Sequence, residues 1–352
     1  MIDSPASAPA RLPQLDALRA IAAVFVLLYH YDYAFGGLAI FQHAQLAVDF
    51  LFLLSGLVLS AGVDHRCGNS RSGVRFVAER IGRLWPIMAV GTLMGFTVVW
   101  FGHGLTRGTL TTLALALLFI PGRTPREGIF PLNPPQWSLL FELIANAVHA
   151  LLFWRLRTRM LLILAGVSWL ALAAVGYAKG EIAYGPMYPG WQIGVLRIGY
   201  AYTLGCAMGR HAPQIARLVR VPWWMPMIAL CLLLTRPGRE QLLDGVWDAM
   251  TLLAFPLVLA ASLAEMPPRT LYRTMCISGA ASWPLYAFHS PILEAAKAFA
   301  GRGIVSPNVA GPVAAALAVA LALVVGPSRL AKGIRLPRLK RYPAGARRLA
   351  NA

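Results

Sequence analysis

His30 follows Arg19 across residues 20–29, Ala-Ile-Ala-Ala-Val-Phe-Val-Leu-Leu-Tyr, an apolar run flanked by two ionisable side chains. Ionisable groups in or at the edge of a membrane helix are costly to bury and usually mark a functional site. An imidazole titrates near neutral pH and takes a proton readily, so the chemistry it offers is general base catalysis. Three further charges fall within apolar runs at similar depth: Asp49, Glu142 and Arg197. A carboxylate beside His30 would hold the base in one tautomer, which makes Asp49 and Glu142 its candidate catalytic partners. The competing reading is a set of buried polar groups that satisfy one another and lock helices together. Arg80 and Arg83, three apart, share a helix face. They form either a phosphate-type anion clamp or the ordinary positive charge of a cytoplasmic loop. Arg19 lies near the same inner face, and its eleven-residue offset from His30 is roughly 16 Å along a helix. An extended thioester carrier arm bridges such a distance. His289 stands between Pro284 and Pro291, and either lines the same cavity or packs helices. His43, His65, His103, His149 and His211 lie near span ends or loops and are expected to be interfacial.

The elements that must carry these residues are membrane helices. The chain has 352 residues, 58% hydrophobic and 13% charged, with a mean hydropathy of +0.61. Soluble domains carry about 25% charged residues, so the bilayer is the natural solvent for this chain. Spans of about 20 apolar residues are expected near 14–34, 44–63, 84–102, 137–154, 160–178, 191–209, 222–235, 246–264, 276–299 and 309–328. Kinks are expected at Pro284 and Pro291. The run 109–121 is too short to cross. If it does not cross, the arginines at 66, 71, 75, 80, 83, 155, 157, 159, 210, 217, 220, 269 and 273 and the basic tail all face the cytoplasm. Far fewer basic residues (Arg107, Arg123, Arg126, Lys179, Arg236, Arg239 and Arg302) then face outward. The fold class expected is all-α: a polytopic membrane protein of about ten transmembrane helices plus a short re-entrant or surface helix within 103–136. Residues 1–352 are expected to form one integral-membrane domain, with a cytoplasmic segment 1–13 and a basic cytoplasmic tail 329–352. It is expected in the cytoplasmic (inner) membrane, both termini inside, without a cleavable signal peptide.

The formal net charge of +18 invites a nucleic-acid reading, but cytoplasmic loops of multi-span proteins collect Lys and Arg anyway, so no nucleic-acid partner is expected. Cys67, Cys206, Cys231 and Cys276 lack metal or redox spacing and read as small reduced hydrophobes. No Walker A loop, dinucleotide fingerprint or His-Glu-x-x-His occurs, and no metal is expected.

Five segments in order carry a family resemblance. Leu15-Asp-Ala-Leu-Arg19 with His30, Val48-Asp49 through Ser55-Gly56, and Arg80-Ile-Gly-Arg83-Leu-Trp-Pro86 are the first three. Trp137-Ser-Leu-Leu-Phe-Glu142 and Ile277-Ser278 through Tyr286 and His289 complete the set. Together they resemble the membrane-bound acyltransferase-3 family, the O-acetyltransferases of bacterial surface polysaccharides. The sequence departs from that pattern at Ala47, where a glycine is usual, and at Trp283 and Phe288 in the late helix. Some members carry a further hydrolase-like domain after the last span, and none is expected here. The resemblance implies acyl transfer, usually of acetyl from acetyl-CoA, to a carbohydrate hydroxyl. It implies that His30 is the catalytic histidine, supported by Asp49 and Glu142, with Arg19, Arg80 and Arg83 serving the acyl-CoA donor. Trp137, Ser138, Arg197 and His289 are assigned to substrate binding.

The expected partners are acyl-CoA, a carbohydrate acceptor and the lipid bilayer. The acceptor is left open among polysaccharide, peptidoglycan sugar, lipid-linked glycan and small glycosylated metabolite. Acyl chain length and an acyl-histidine intermediate are equally open. The alternative from another class is a secondary transporter or flippase of a lipid-linked sugar, which intramembrane charges also fit. A membrane scaffold would leave the polar layer unexplained.

Overall fold

The computed structural model describes residues 12–63, 70–122, 128–188, 190–236 and 243–333. Residues 1–11, His65, Arg66, Cys67, Arg123, Arg126, Arg239 and the tail from residue 334 lie outside the described residues. Among the described residues the regular structure is helical throughout. In chain order the helices are α1 (Pro13–Phe35), α2 (Ala47–Val63), α3 (Ser70–His103), α4 (Arg107–Leu117), α5 (Gln136–Leu151) and α6 (Thr158–Lys179). They continue with α7 (Ile193–Arg210), α8 (Ala212–Leu218), α9 (Met225–Leu234), α10 (Asp244–Ala261), α11 (Arg269–Gly301) and α12 (Pro307–Gly333).

Local chemistry sets several boundaries. Pro13 opens α1 where its missing N–H costs nothing, Asp16 lies in the first turn, and Gly36 closes the helix at φ +72°. A reciprocal capping box between Thr106 and Thr109 starts α4. Helix α11 continues through Pro284 and Pro291.

Each of the ten expected spans coincides with a helix, but among the described residues length and apolarity alone qualify six stretches to cross a membrane. These are Pro13–Phe35, Ala39–Gly62, Gly73–Gly102, Thr158–Lys179, Asp244–Ala261 and Pro307–Ser328. Helices α5 and α9, at 16 and 10 residues, are short for a crossing. The molecule is a multi-pass membrane protein. Its outer faces carry large apolar side chains, such as Leu162, Ile163, Val167 and Leu170 on α6 and Val309, Val313, Leu317 and Val324 on α12, all exposed. Such continuous apolar faces suit lipid and not water.

Contacts between helices fix their relative directions. Asp16 packs on Gly279 and His30 reaches His289, so α1 and α11 run parallel. Gly56 meets Tyr202 and Cys206, while Gly209 meets Leu57 and Ala61, so α2 and α7 run parallel as well. Helices α3 and α5 are antiparallel, with Thr92 bonded to Gln136 at one end and Arg80 to Glu142 further along. The start of α5 therefore lies at the same end of the bundle as the end of α3. In the residues between them, Leu117 O accepts from Trp85 Nε1 and Ala116 O from Gln136 Nε2. The C-terminal end of α4 thus reaches back toward the middle of α3. Beyond it, Ile129 N donates to Pro186 O, tying this loop to residues 181–188.

The central contact is α2 on α7. The apolar window containing α2 is 83% buried, against 22% for α6, so α2 is the core helix and α6 a peripheral one. Gly56 and Gly205 let the two backbones touch, for a Cβ at either would collide with backbone of the other helix. Close approach through small residues is how membrane helices associate where hydrocarbon supplies no hydrophobic drive. Gly205→Leu should therefore wedge α2 from α7 and cost at least the roughly 1–3 kcal/mol of ordinary overpacking. Thermal unfolding of the purified variant in detergent checks this; a wild-type melting temperature would contradict the packing described.

Candidate active site

Among the described residues four polar clusters stand within this bundle, and α1, α2, α3, α5, α7 and α11 bring the expected residues other than Arg19 and Arg83 into three of them.

The first is built on His30. The ring is partly exposed, and its Nδ1 lies 2.9 Å from Val26 O, one turn back on α1. A carbonyl oxygen only accepts, so Nδ1 carries the hydrogen and Nε2 of the neutral ring carries the lone pair. His289, fully buried on α11, places its Nε2 3.3 Å from His30 Nδ1, with ring centroids 4.8 Å apart. One turn back on α11, Tyr286 forms a 2.5 Å hydrogen bond with Ser138 Oγ on α5. Ser138 in turn donates to Pro135 O at 3.0 Å, and Trp283 stacks on the Tyr286 ring. The His30–His289 and Tyr286–Ser138 pairs thus lie side by side across α1, α11 and α5, meeting where the His289 and Tyr286 rings pack 5.9 Å apart.

The second cluster begins one turn further along α5. Glu142 Oε1 accepts from Ser55 Oγ at 2.7 Å and from Arg80 Nη2 at 3.0 Å. The expectation that Arg80 sits at the far inner face, apart from the layer of Glu142, is corrected by this contact. The charges of residues 71–83 fall outside the apolar window 84–102, but the helix does not stop for them. α3 starts at Ser70, so Arg80 is already ten residues, roughly 15 Å, up its length. Arg83, one turn on, is exposed. Arg19 donates to Asp16 at 3.1 Å on α1 and remains 34% exposed.

The third cluster is the pair Asp49–Arg197, which closes α2 onto α7. Both side chains are buried, and the contact is two-pronged: Nε to Oδ1 at 3.1 Å and Nη2 to Oδ2 at 2.5 Å. Arg197 also donates to Gln45 O and Tyr184 O, and its Cζ lies 5.3 Å over the Trp137 ring. Gly185, at φ +140°, lets its loop cross the Trp137 face where any Cβ would strike the ring.

Among the described residues, then, the side chain hydrogen-bonded to His30 is His289, while both candidate carboxylates are held by arginines. The segment between α1 and α2 is not a simple tight turn. Residues 36–46 include two short 3₁₀ turns, Ala39–Phe41 and Ala44–Leu46, which carry Asp49 toward α7 instead of α1.

A fourth cluster was not anticipated. His43, expected at the interface, is buried, with Nδ1 2.7 Å from Asp248 Oδ1 and Nε2 3.8 Å from Asp244 Oδ1. Gln45 donates to Asp248, and Arg236 to Asp244. The signal available in the sequence was Asp244 and Asp248, four apart on one face at the start of an apolar run. His149 is likewise buried, beside Cys206 Sγ at 3.4 Å. Neither Cys206, Cys231 nor Cys276 forms a disulfide. Ser55 and Tyr286 also escaped selection as site residues, although each lies in a segment that carried the family resemblance.

A family model described as an acyltransferase domain, acyltransferase 3, matches residues 12–326. The chain belongs to this acyltransferase family. The matched region contains every member of the four clusters. One curated relative, "Protein 2 in picA locus" of Rhizobium radiobacter, is 32% identical over 162 residues, covering 41% of this chain and 83% of the relative. No solved structure matches. The acyltransferase-3 assignment makes this chain a membrane acyltransferase.

Proposed function

We propose that this acyltransferase moves an acetyl or other short acyl group from cytoplasmic acyl-CoA to a hydroxyl of a cell-envelope carbohydrate. The observation that carries the reading is the His30 ring itself. Its Nδ1 is committed to Val26, which leaves the Nε2 lone pair as a base inside an apolar bundle. The acceptor hydroxyl gives its proton to Nε2 while its oxygen attacks the thioester carbonyl. The tetrahedral intermediate collapses, the C–S bond breaks, and the same proton passes from Nε2 to the departing thiolate. The products are the ester and free CoA.

Arg80, Arg83 and Arg19 are proposed to serve the donor. Arg80 supports this because its Nε–H is buried without a partner among the described residues, although Nη2 is held by Glu142. A guanidinium with donors to spare suits phosphate or a developing oxyanion. Glu142 acts by fixing Arg80, and Asp49 by fixing Arg197. Trp137, Ser138, Arg197 and His289 are proposed to shape the substrate side. The orientation that goes with this reading puts both termini in the cytoplasm of a cell with the protein in its inner membrane, so the donor enters from the side of Arg19 and the acceptor from the other.

The test is acetyl-CoA turnover by purified protein in nanodiscs, followed as thiol release. Release should depend on adding an envelope glycan fraction. Thiol release that is absent, or the same with and without the fraction, contradicts the proposal.

A further inference from the structure

The hydrogen bonds around His30 leave one consistent proton arrangement, and it gives His289 a role distinct from substrate contact. His289 Nδ1 lies 3.0 Å from Leu285 O, and a carbonyl accepts only, so this nitrogen carries the ring hydrogen. The Nε2 of neutral His289 is therefore a lone pair, and it faces His30 Nδ1 at 3.3 Å. His30 Nδ1 bears a hydrogen by the same reasoning, because its other neighbour is Val26 O at 2.9 Å. The single His30 Nδ1–H is shared between Val26 O at 2.9 Å and the His289 Nε2 lone pair at 3.3 Å, and His289 Nδ1–H goes to Leu285 O. Were both rings protonated, two N–H groups would point at each other. The free nitrogen of this arrangement is Nε2 of His30.

We infer that His289 is a positioning residue for the base, occupying the place that a carboxylate takes in a histidine–carboxylate dyad. This rests on His30 being the base of the proposed reaction. The path of the proton balances without any further reactant. When His30 Nε2 takes the hydroxyl proton, the positive charge is stabilised because Nδ1–H already points at a lone pair. The Nδ1 proton stays on His30, where Val26 O and His289 Nε2 both accept from it and fix the ring, and the charge is lost when His30 Nε2–H protonates the leaving thiolate. Net transfer is hydroxyl to thiolate, and His289 ends as it began. Two neutral rings suit this site: the base is built without placing a fixed negative charge beside it in an apolar bundle. The arrangement is held by the parallel packing of α1 on α11. Tyr286, bonded to Ser138 and lying 5.9 Å ring to ring from His289, steadies the turn that presents it.

Two polar substitutions separate this role from packing. In His289→Asn the side chain reaches only as far as the ring's Nδ1 position, so it keeps a donor for Leu285 O and loses the acceptor for His30. In His289→Gln the longer side chain brings an amide oxygen toward the former Nε2 position. Loss of a group that orients a catalytic partner costs on the order of 10- to 100-fold. The Asn variant should lose about that much in kcat for acceptor-dependent thiol release, with KM for acetyl-CoA unmoved, and the Gln variant should recover most of the loss. Equal kcat in the two variants, or a defect confined to KM, overturns the positioning role. Either result leaves the His30 base reading standing, because that reading is tested separately by His30→Ala, where a loss of less than threefold would overturn it. Melting temperatures of both variants, measured on the same preparations, identify any loss that is merely structural.

Discussion

Arg197→Leu should yield little or no folded protein. The substitution leaves the Asp49 carboxylate, which is wholly buried, without its two guanidinium bonds. It also strips a donor each from Gln45 O and Tyr184 O, and a cation from the Trp137 face. Removing one partner of a buried ion pair typically costs roughly 3–5 kcal/mol, much of a protein's usual margin. The same logic sets a second expectation for the pair. Asp49→Leu combined with Arg197→Leu removes both charges and should restore part of the lost stability, because an uncompensated charge is worse than none. Size-exclusion profiles and melting curves of the single and double variants in detergent check this. A single variant that melts like the wild type would show that the pair does not hold α2 to α7.

His30→Ala should behave in the opposite way, folding normally while losing catalysis. The ring is partly exposed, and its hydrogen bonds are to one backbone carbonyl and to His289, so the structure gives up little. The chemistry gives up its base, which is worth roughly 10²–10⁴-fold in rate. Thiol release by purified variant in nanodiscs, corrected for folded fraction, measures this loss. A decrease of less than threefold would remove His30 from the chemistry.

Much of this arrangement is legible in the sequence because intramembrane charge is rare and conspicuous. His30, Asp49, Glu142 and Arg197 stand out against apolar neighbours, and the positions of the helices follow from the same contrast. The partner of each charge is a different matter. It depends on tertiary packing, which helix periodicity does not encode. Asp49 was equally close to His30 by depth, and only the turns at 39–46 and the glycine contacts of α2 with α7 commit it to Arg197. Arg80 was misplaced in depth because hydropathy windows end at charges while helices do not, and α3 extends well below its apolar part. His289 was ambiguous for another reason. A histidine between two prolines has no decisive local signal, and its value appears only when α11 packs beside α1 in parallel. The buried His43 cluster escaped because its members lie about 200 residues apart in sequence.

The most direct measurement of the central claim is transfer of label from acetyl-labelled CoA into envelope glycans by membranes carrying the wild type or His30→Ala. Alkali-labile label is expected in the glycan with the wild type, and a loss of at least roughly 10²-fold with the variant. Equal labelling by the two would contradict that claim, and would separate the acyltransferase from its supposed base.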